Sequence, residues 1–88
     1  MEQLDQITKH LLWKLYKLGA WGKRHVSESN LPKGFPQHLR HLVKEAAEDL
    51  SKKGFLVKHP THHETQWYLS WSKKKEIEEV IKEFLVQP

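Results

Sequence analysis

Apolar residues in this chain recur first at helical and then at extended spacing. Leu4, Ile7, Leu11, Leu15 and Leu18 stand three and four residues apart, which predicts an amphipathic helix over residues 3–18. Gly19 suits the position just past its end. Residues 19–35 hold three Gly and Pro32, a loop composition. Within it Arg24-His25-Val26 predicts a brief strand, and Ser27 can cap a short helix over about 27–31 that Pro32 must end. Pro36 suits the first turn of a longer helix over 36–53, whose Leu39, Leu42, Val43, Ala46 and Leu50 form an inward stripe. Lys52-Lys53-Gly54 closes it, with cations at the negative end of the helix dipole. Phe55–His59 and Gln66–Trp71 read as two strands of a hairpin over 55–71, joined by the polar turn Pro60–Thr65. Ser72 can cap a last helix over 73–86, in which Ile77, Val80, Ile81, Phe84 and Leu85 keep the helical period.

Composition narrows the picture. At 88 residues, 38% of them apolar, the chain suits one small α+β domain with a modest core over 1–88. The absence of Cys removes disulfides, thiolate metal sites and Cys nucleophiles. No apolar run approaches the ~20 residues that span a bilayer. Met1-Glu2-Gln3-Leu4-Asp5 lacks the basic and apolar regions of a secretory signal, so an intracellular, cytoplasmic protein without membrane contact is expected. The net charge of +4 is unevenly distributed: residues 9–44 carry eight Lys/Arg against Glu28 alone, and 45–50 carry three acids and no base. Such segregation suits one positive face directed at a polyanion.

The order helix, short strand, short helix, long helix, hairpin, helix resembles the winged helix-turn-helix family, in its small stand-alone prokaryotic or archaeal form. Leu50-Ser51-Lys52-Lys53-Gly54-Phe55-Leu56 looks like the end of a recognition helix entering the first wing strand, and Trp67-Tyr68-Leu69-Ser70 like the returning strand. The resemblance covers nearly the whole chain. It implies three helices, a two- to three-stranded antiparallel wing and an added C-terminal helix. It also implies double-stranded DNA as partner, transcription regulation as the role, and no cofactor or catalysis. The short 27–31 segment, flanked by Pro32, departs from the longer second helix usual in the family.

On a helical wheel Gln37, Arg40, His41, Lys44 and Glu48 fall opposite Leu39, Val43, Ala46 and Leu50. Arg and Gln offer paired groups to base edges and Lys neutralises phosphate. The resemblance therefore assigns Gln37, Arg40, His41 and Lys44 to the major groove, with His38 beside them among the nucleic-acid-binding residues. Glu45, Glu48 and Asp49 in the rear half would be repelled by phosphates, so the front half should enter. Lys23, Arg24, Lys33 and Lys58 would supply charge to the DNA backbone. His62, His63 and Thr65 at the wing tip would add an auxiliary touch, weak because two mostly neutral His carry little charge at pH 7.

Other chemistries find less support. His38 and His41, or His59, His62 and His63, lack the converging spacing of a metal site, and no metal is expected. No phosphate-cradling Gly-rich motif or nucleophile elbow is present, so the chain reads as non-enzymatic. The rival is a non-catalytic protein- or RNA-binding adaptor. Trp13 lies roughly opposite the first apolar stripe, near Tyr16, and needs cover. Either the last helix of the same chain supplies it through Val80 and Phe84, or Trp13, Tyr16 and Phe84 form a partner surface, including a homodimer seam.

Overall fold

The computed structural model describes residues 2–86, and side chains from residue 6 onward. Leu4, at the head of the predicted stripe, lies outside the described side chains. The first helix, α1, runs Glu2–Leu18. Its Ile7, Leu11 and Leu15 are buried as the period predicts, and so is Leu12, which widens the inward face. Leu18 departs from the stripe and is 40% exposed. At the last turn of α1 its neighbours are the polar loop residues Arg24, Ser27 and Asn30, which make a shallow groove instead of a wall.

The helix ends where Gly19 turns left-handed at φ 67°. There Ala20 N–H donates to Leu15 O at 3.1 Å and Gly19 N–H to Tyr16 O at 3.0 Å, so two end carbonyls are satisfied. The second long helix, α2 (Arg40–Lys52), ends the same way. Gly54 sits at φ 84°, Phe55 N–H donates to Leu50 O at 2.9 Å, and Gly54 N–H to Ser51 O at 3.1 Å. Each turn feeds the chain directly into the sheet: Ala20 O accepts from Leu69 N–H, and Phe55 leads into the second strand.

The sheet has three strands, β1 (Val26–Ser27), β2 (Leu56–His59) and β3 (Gln66–Leu69), in the order β1-β3-β2 and antiparallel throughout. Strand alternation sends Trp67 and Leu69 into the core and Tyr68 to the other face. The register pairs Leu56 with Leu69 and Lys58 with Trp67. Trp67, Leu69 and Leu56 close one buried cluster with α1 and with Val43, Ala46, Ala47 and Leu50 of α2. The two alanines let α1 and α2 approach closely. Within this cluster the Trp67 indole N–H finds no hydrogen-bond partner, the one such buried side-chain atom among the described residues.

Five expectations need correction. The helix expected over 27–31 is a single 3-10 turn, Glu28–Asn30, followed by more i to i−3 bonds: Leu31 N–H to Glu28 O, Lys33 N–H to Asn30 O, Phe35 N–H to Pro32 O. Pro32 has no N–H to continue an α-helical ladder. Ser27 makes no cap bond to the backbone; its Oγ accepts from Asn30 Nδ2 at 2.8 Å. The helix expected from residue 36 opens with a 3-10 turn, Gln37–Leu39, and becomes α-helical at Arg40. The helix expected over 73–86 is a 3-10 turn, Trp71–Lys73, then α3 (Lys74–Val80) and α4 (Lys82–Leu85), with a break at Ile81. Ser72 lies inside the 3-10 turn instead of capping it, hydrogen-bonded to Ser70 through the two hydroxyls at 2.8 Å. Ile77 before the break and Ile81 at it are buried, and the Phe84 ring stacks on Trp13.

Candidate functional site

The 3-10 turn Gln37–Leu39 and the first half of α2 present one continuous outer face. Gln37, His38, Arg40, His41 and Lys44 are all exposed on it, while Val43, Ala46, Ala47 and Leu50 occupy the buried side. Arg40 Nε donates to Phe35 O at 3.2 Å, which ties the guanidinium to the preceding turn. No carboxylate lies within 4.0 Å of Arg40 among the described residues. Lys44 is 66% exposed and has one loose ion pair, 3.9 Å to Glu28. In the rear half, Asp49 pairs with Lys53 at 3.1 Å, so part of its negative charge is compensated locally.

Lys33 is exposed in the turn before this face, and it shares a shallow groove with Arg24. Lys23 is exposed in the preceding turn, and no hydrogen bond or ion pair joins its side chain to α2. Lys58 is exposed and already has an acidic partner. Alternation along β2 places it on the core face with Leu56, where its ammonium lies 5.6 Å over the Trp67 ring and 2.7 Å from Glu48. Its side chain is 39% exposed, and the pair with Glu48 compensates part of its charge.

The hairpin loop folds back on the turn that precedes α2. Glu64 accepts from Ser29 N–H at 2.9 Å and from Ser29 Oγ at 3.3 Å, supplying from across the fold the cap that Ser27 does not. Thr65 is half-buried, and its carbonyl accepts from Glu28 N–H at 2.9 Å. Thr61 Oγ donates to Glu64 O and accepts from the N–H groups of His63 and Glu64, which sets the loop's shape. His62 and His63 are exposed on this fastened loop.

Three side chains outside the expected site shape it: Glu28, Glu64 and Lys14. Lys14 donates to the carbonyls of Asn30, Leu31 and Lys33 at 2.6, 2.9 and 2.6 Å. It thereby satisfies the irregular turn that a helix would otherwise have occupied. Burial, and then repulsion from Lys33, hold its pKa below the ordinary lysine value. Its position seven residues after Ile7, inside the apolar stripe, was the available signal.

On the opposite side Trp13, Tyr16 and Phe84 meet one another. Trp13 stacks on Phe84 at 5.6 Å and on Tyr16 at 6.0 Å, and all three are half-buried. Tyr16 O–H donates to Glu78 at 2.8 Å. That bond raises the Tyr16 pKa and, with Lys74 adding to it, lowers the Glu78 pKa against some desolvation. The C-terminal segment of the same chain thus supplies cover for Trp13. The ring series continues from Tyr16 to Trp21 and from Trp21 to Trp71, 4.5 Å apart, where Trp71 is 59% exposed.

Among the described residues no group of three or more His, Asp or Glu could hold a metal ion, and no helix is long and apolar enough to cross a membrane. Comparison with protein-family models, curated proteins and solved structures found no match to this chain. The chemistry of its own surface is what bears on function.

Proposed function

We propose that the chain is a winged-helix DNA-binding protein acting in transcription regulation, with the turn at 37–39 and the front of α2 entering the major groove. One observation carries this: Gln37, His38, Arg40 and His41 stand exposed on one helix front without a carboxylate partner among the described residues, above a fully apolar underside. An α-helix fits the ~12 Å major groove, and Arg and Gln match base edges through paired hydrogen bonds. Further support comes from the sheet order β1-β3-β2, with β1 preceding the short turn and the hairpin following α2, an order compatible with a winged helix. Lys33, Arg24 and Lys44 are placed to neutralise phosphates. Glu28 opposes them beside Lys44 and sets a limit on how closely the backbone approaches there.

The test is fluorescence anisotropy of a labelled duplex titrated with the protein at several salt concentrations. If three to five phosphates are contacted, log K falls against log salt with a slope of about −3 to −5. Affinity that does not respond to salt would overturn the proposal.

A second reading, a non-catalytic adaptor for protein or RNA, rests on exposed Trp71 at the end of the aromatic series. Exposed aromatics anchor protein contacts, and such binding is nearly independent of salt.

A further inference from the structure

An open groove of about 910 Å³ runs between α1 and the segment 33–39. Buried Ile7 lies at its base, with half-buried Trp13 on the α1 side and Phe35 and Leu39 opposite. Its size falls in the range of small-molecule sites, roughly 300–1,000 Å³. Lys17 and Lys33 stand exposed at its edges, and among the described residues no Asp or Glu lines it. Half-buried Lys14 also lines it, with its three donors taken by carbonyl oxygens and no acid among the described residues to balance its charge. None of these three lysines has a carboxylate within 4.0 Å among the described residues. Burial, and after it repulsion from Lys33, lowers the Lys14 pKa.

Apolar walls reward burial of a ring or hydrocarbon chain, and uncompensated ammonium groups reward an anion. The two requirements meet in one ligand class. We propose that this groove binds a small organic anion with an apolar body, an aryl- or alkyl-carboxylate. Its ring or chain lies between Trp13 and Phe35, and its carboxylate meets Lys33 and Lys17. The Lys17 ammonium sits 5.3 Å over the Trp13 ring, so it is already held at the groove wall before a ligand arrives. The site needs no nucleic acid, and its test is separate from that of DNA binding.

The probe is 4-phenylbutyrate, with 4-phenylbutyramide as its uncharged counterpart, titrated into the 15N-labelled full chain and followed by NMR. The expected result is saturable shifts of the Trp13 indole N–H and of the Gly34, Phe35 and Leu39 amides. The acid should bind about threefold tighter than the amide, the scale of one solvent-exposed ion pair. Lys17→Gln combined with Lys33→Gln, both at exposed positions, should abolish that preference while leaving the Trp67 signals of the core in place. Phe35→Leu should weaken acid and amide alike. Equal affinity of acid and amide, shifts centred on another face, or no saturation at millimolar probe would each overturn the proposal.

Discussion

The two faces of this molecule hold similar residues and neutralise them to different extents. On the side built by α1, α3 and α4, four lysines meet acids, Lys9 with Glu83, Lys74 with Glu78, Lys73 with Glu76 and Lys82 with Glu79, while Lys14, Lys17 and Lys75 have none within 4.0 Å among the described residues. The aromatic rings there are stacked on one another, and Tyr16 is hydrogen-bonded. On the side built by the 30–36 turn and the front of α2, Lys33, Arg24 and Arg40 have no acid within ion-pair reach among the described residues, and Lys44 barely touches Glu28. Counting Lys and Arg along the chain does not separate these faces; the pattern of neutralisation does. Surface ion pairs add little stability individually, so the contrast concerns what each face presents to a partner.

The largest predicted effect falls on the matched side. Phe84→Ala removes the ring stacked on Trp13 and is expected to lower unfolding free energy by about 2 kcal/mol, less than for a fully buried aromatic because Phe84 is half-buried. Urea melts measure this, and the duplex affinity of the folded protein should not change. A lost affinity with unchanged stability would invert the roles of the two faces.

Arg40→Ala comes next, with duplex binding expected to weaken by about 1–3 kcal/mol if its guanidinium reads a base, and with an unchanged melting curve. Anisotropy titration checks it, and an unaltered affinity would take Arg40 out of the proposed contact. Glu48→Gln should make the faces less alike by releasing Lys58. The slope of log K against log salt is then expected to steepen by about one, as for a single added phosphate contact. A constant slope would mean that Lys58 stays over Trp67 without its acid.

The smallest effect is electrostatic. Because the Tyr16 hydroxyl favours ionised Glu78, the folded carboxyl titrates below its ordinary value. Its contribution to stability is therefore present above the unfolded carboxyl pKa and is lost as pH falls through the folded one. In Tyr16→Phe the Glu78 midpoint, followed by carbon NMR of the carboxyl, should move upward and the acid-side loss of stability should become shallower. A stationary midpoint would assign the shift to Lys74 alone.

Much of the fold was legible because burial follows period. The 3.6-residue stripes located α1 and α2, and the resemblance pointed to the returning strand that carries buried Trp67 and Leu69. Glycine chemistry marked both helix ends at Gly19 and Gly54. What period does not register is a local tightening of the chain. The stripe through Ile77, Ile81 and Phe84 continues across the break at Ile81, so the sequence pattern reads as one helix there. Ser27 and Pro32 carry start and stop signals only five residues apart, which leaves room for one turn.

At the candidate site, the wheel correctly separated the exposed from the buried side of α2. It could not say which cations would be engaged, because Lys58–Glu48 and Lys44–Glu28 join elements distant in sequence. The alternation that buried Leu56 did carry a hint that Lys58 points the same way.

Lys14 gives one further consequence. Three carbonyls converge on its tetrahedral ammonium, and they belong to the only stretch of chain between β1 and α2. A planar guanidinium spreads its hydrogens in a flat fork and cannot reproduce that tripod, so retaining the positive charge at position 14 is not enough. The direction in which Arg40 and its neighbours are aimed is thus anchored from inside α1, by a side chain that itself never reaches the outer face.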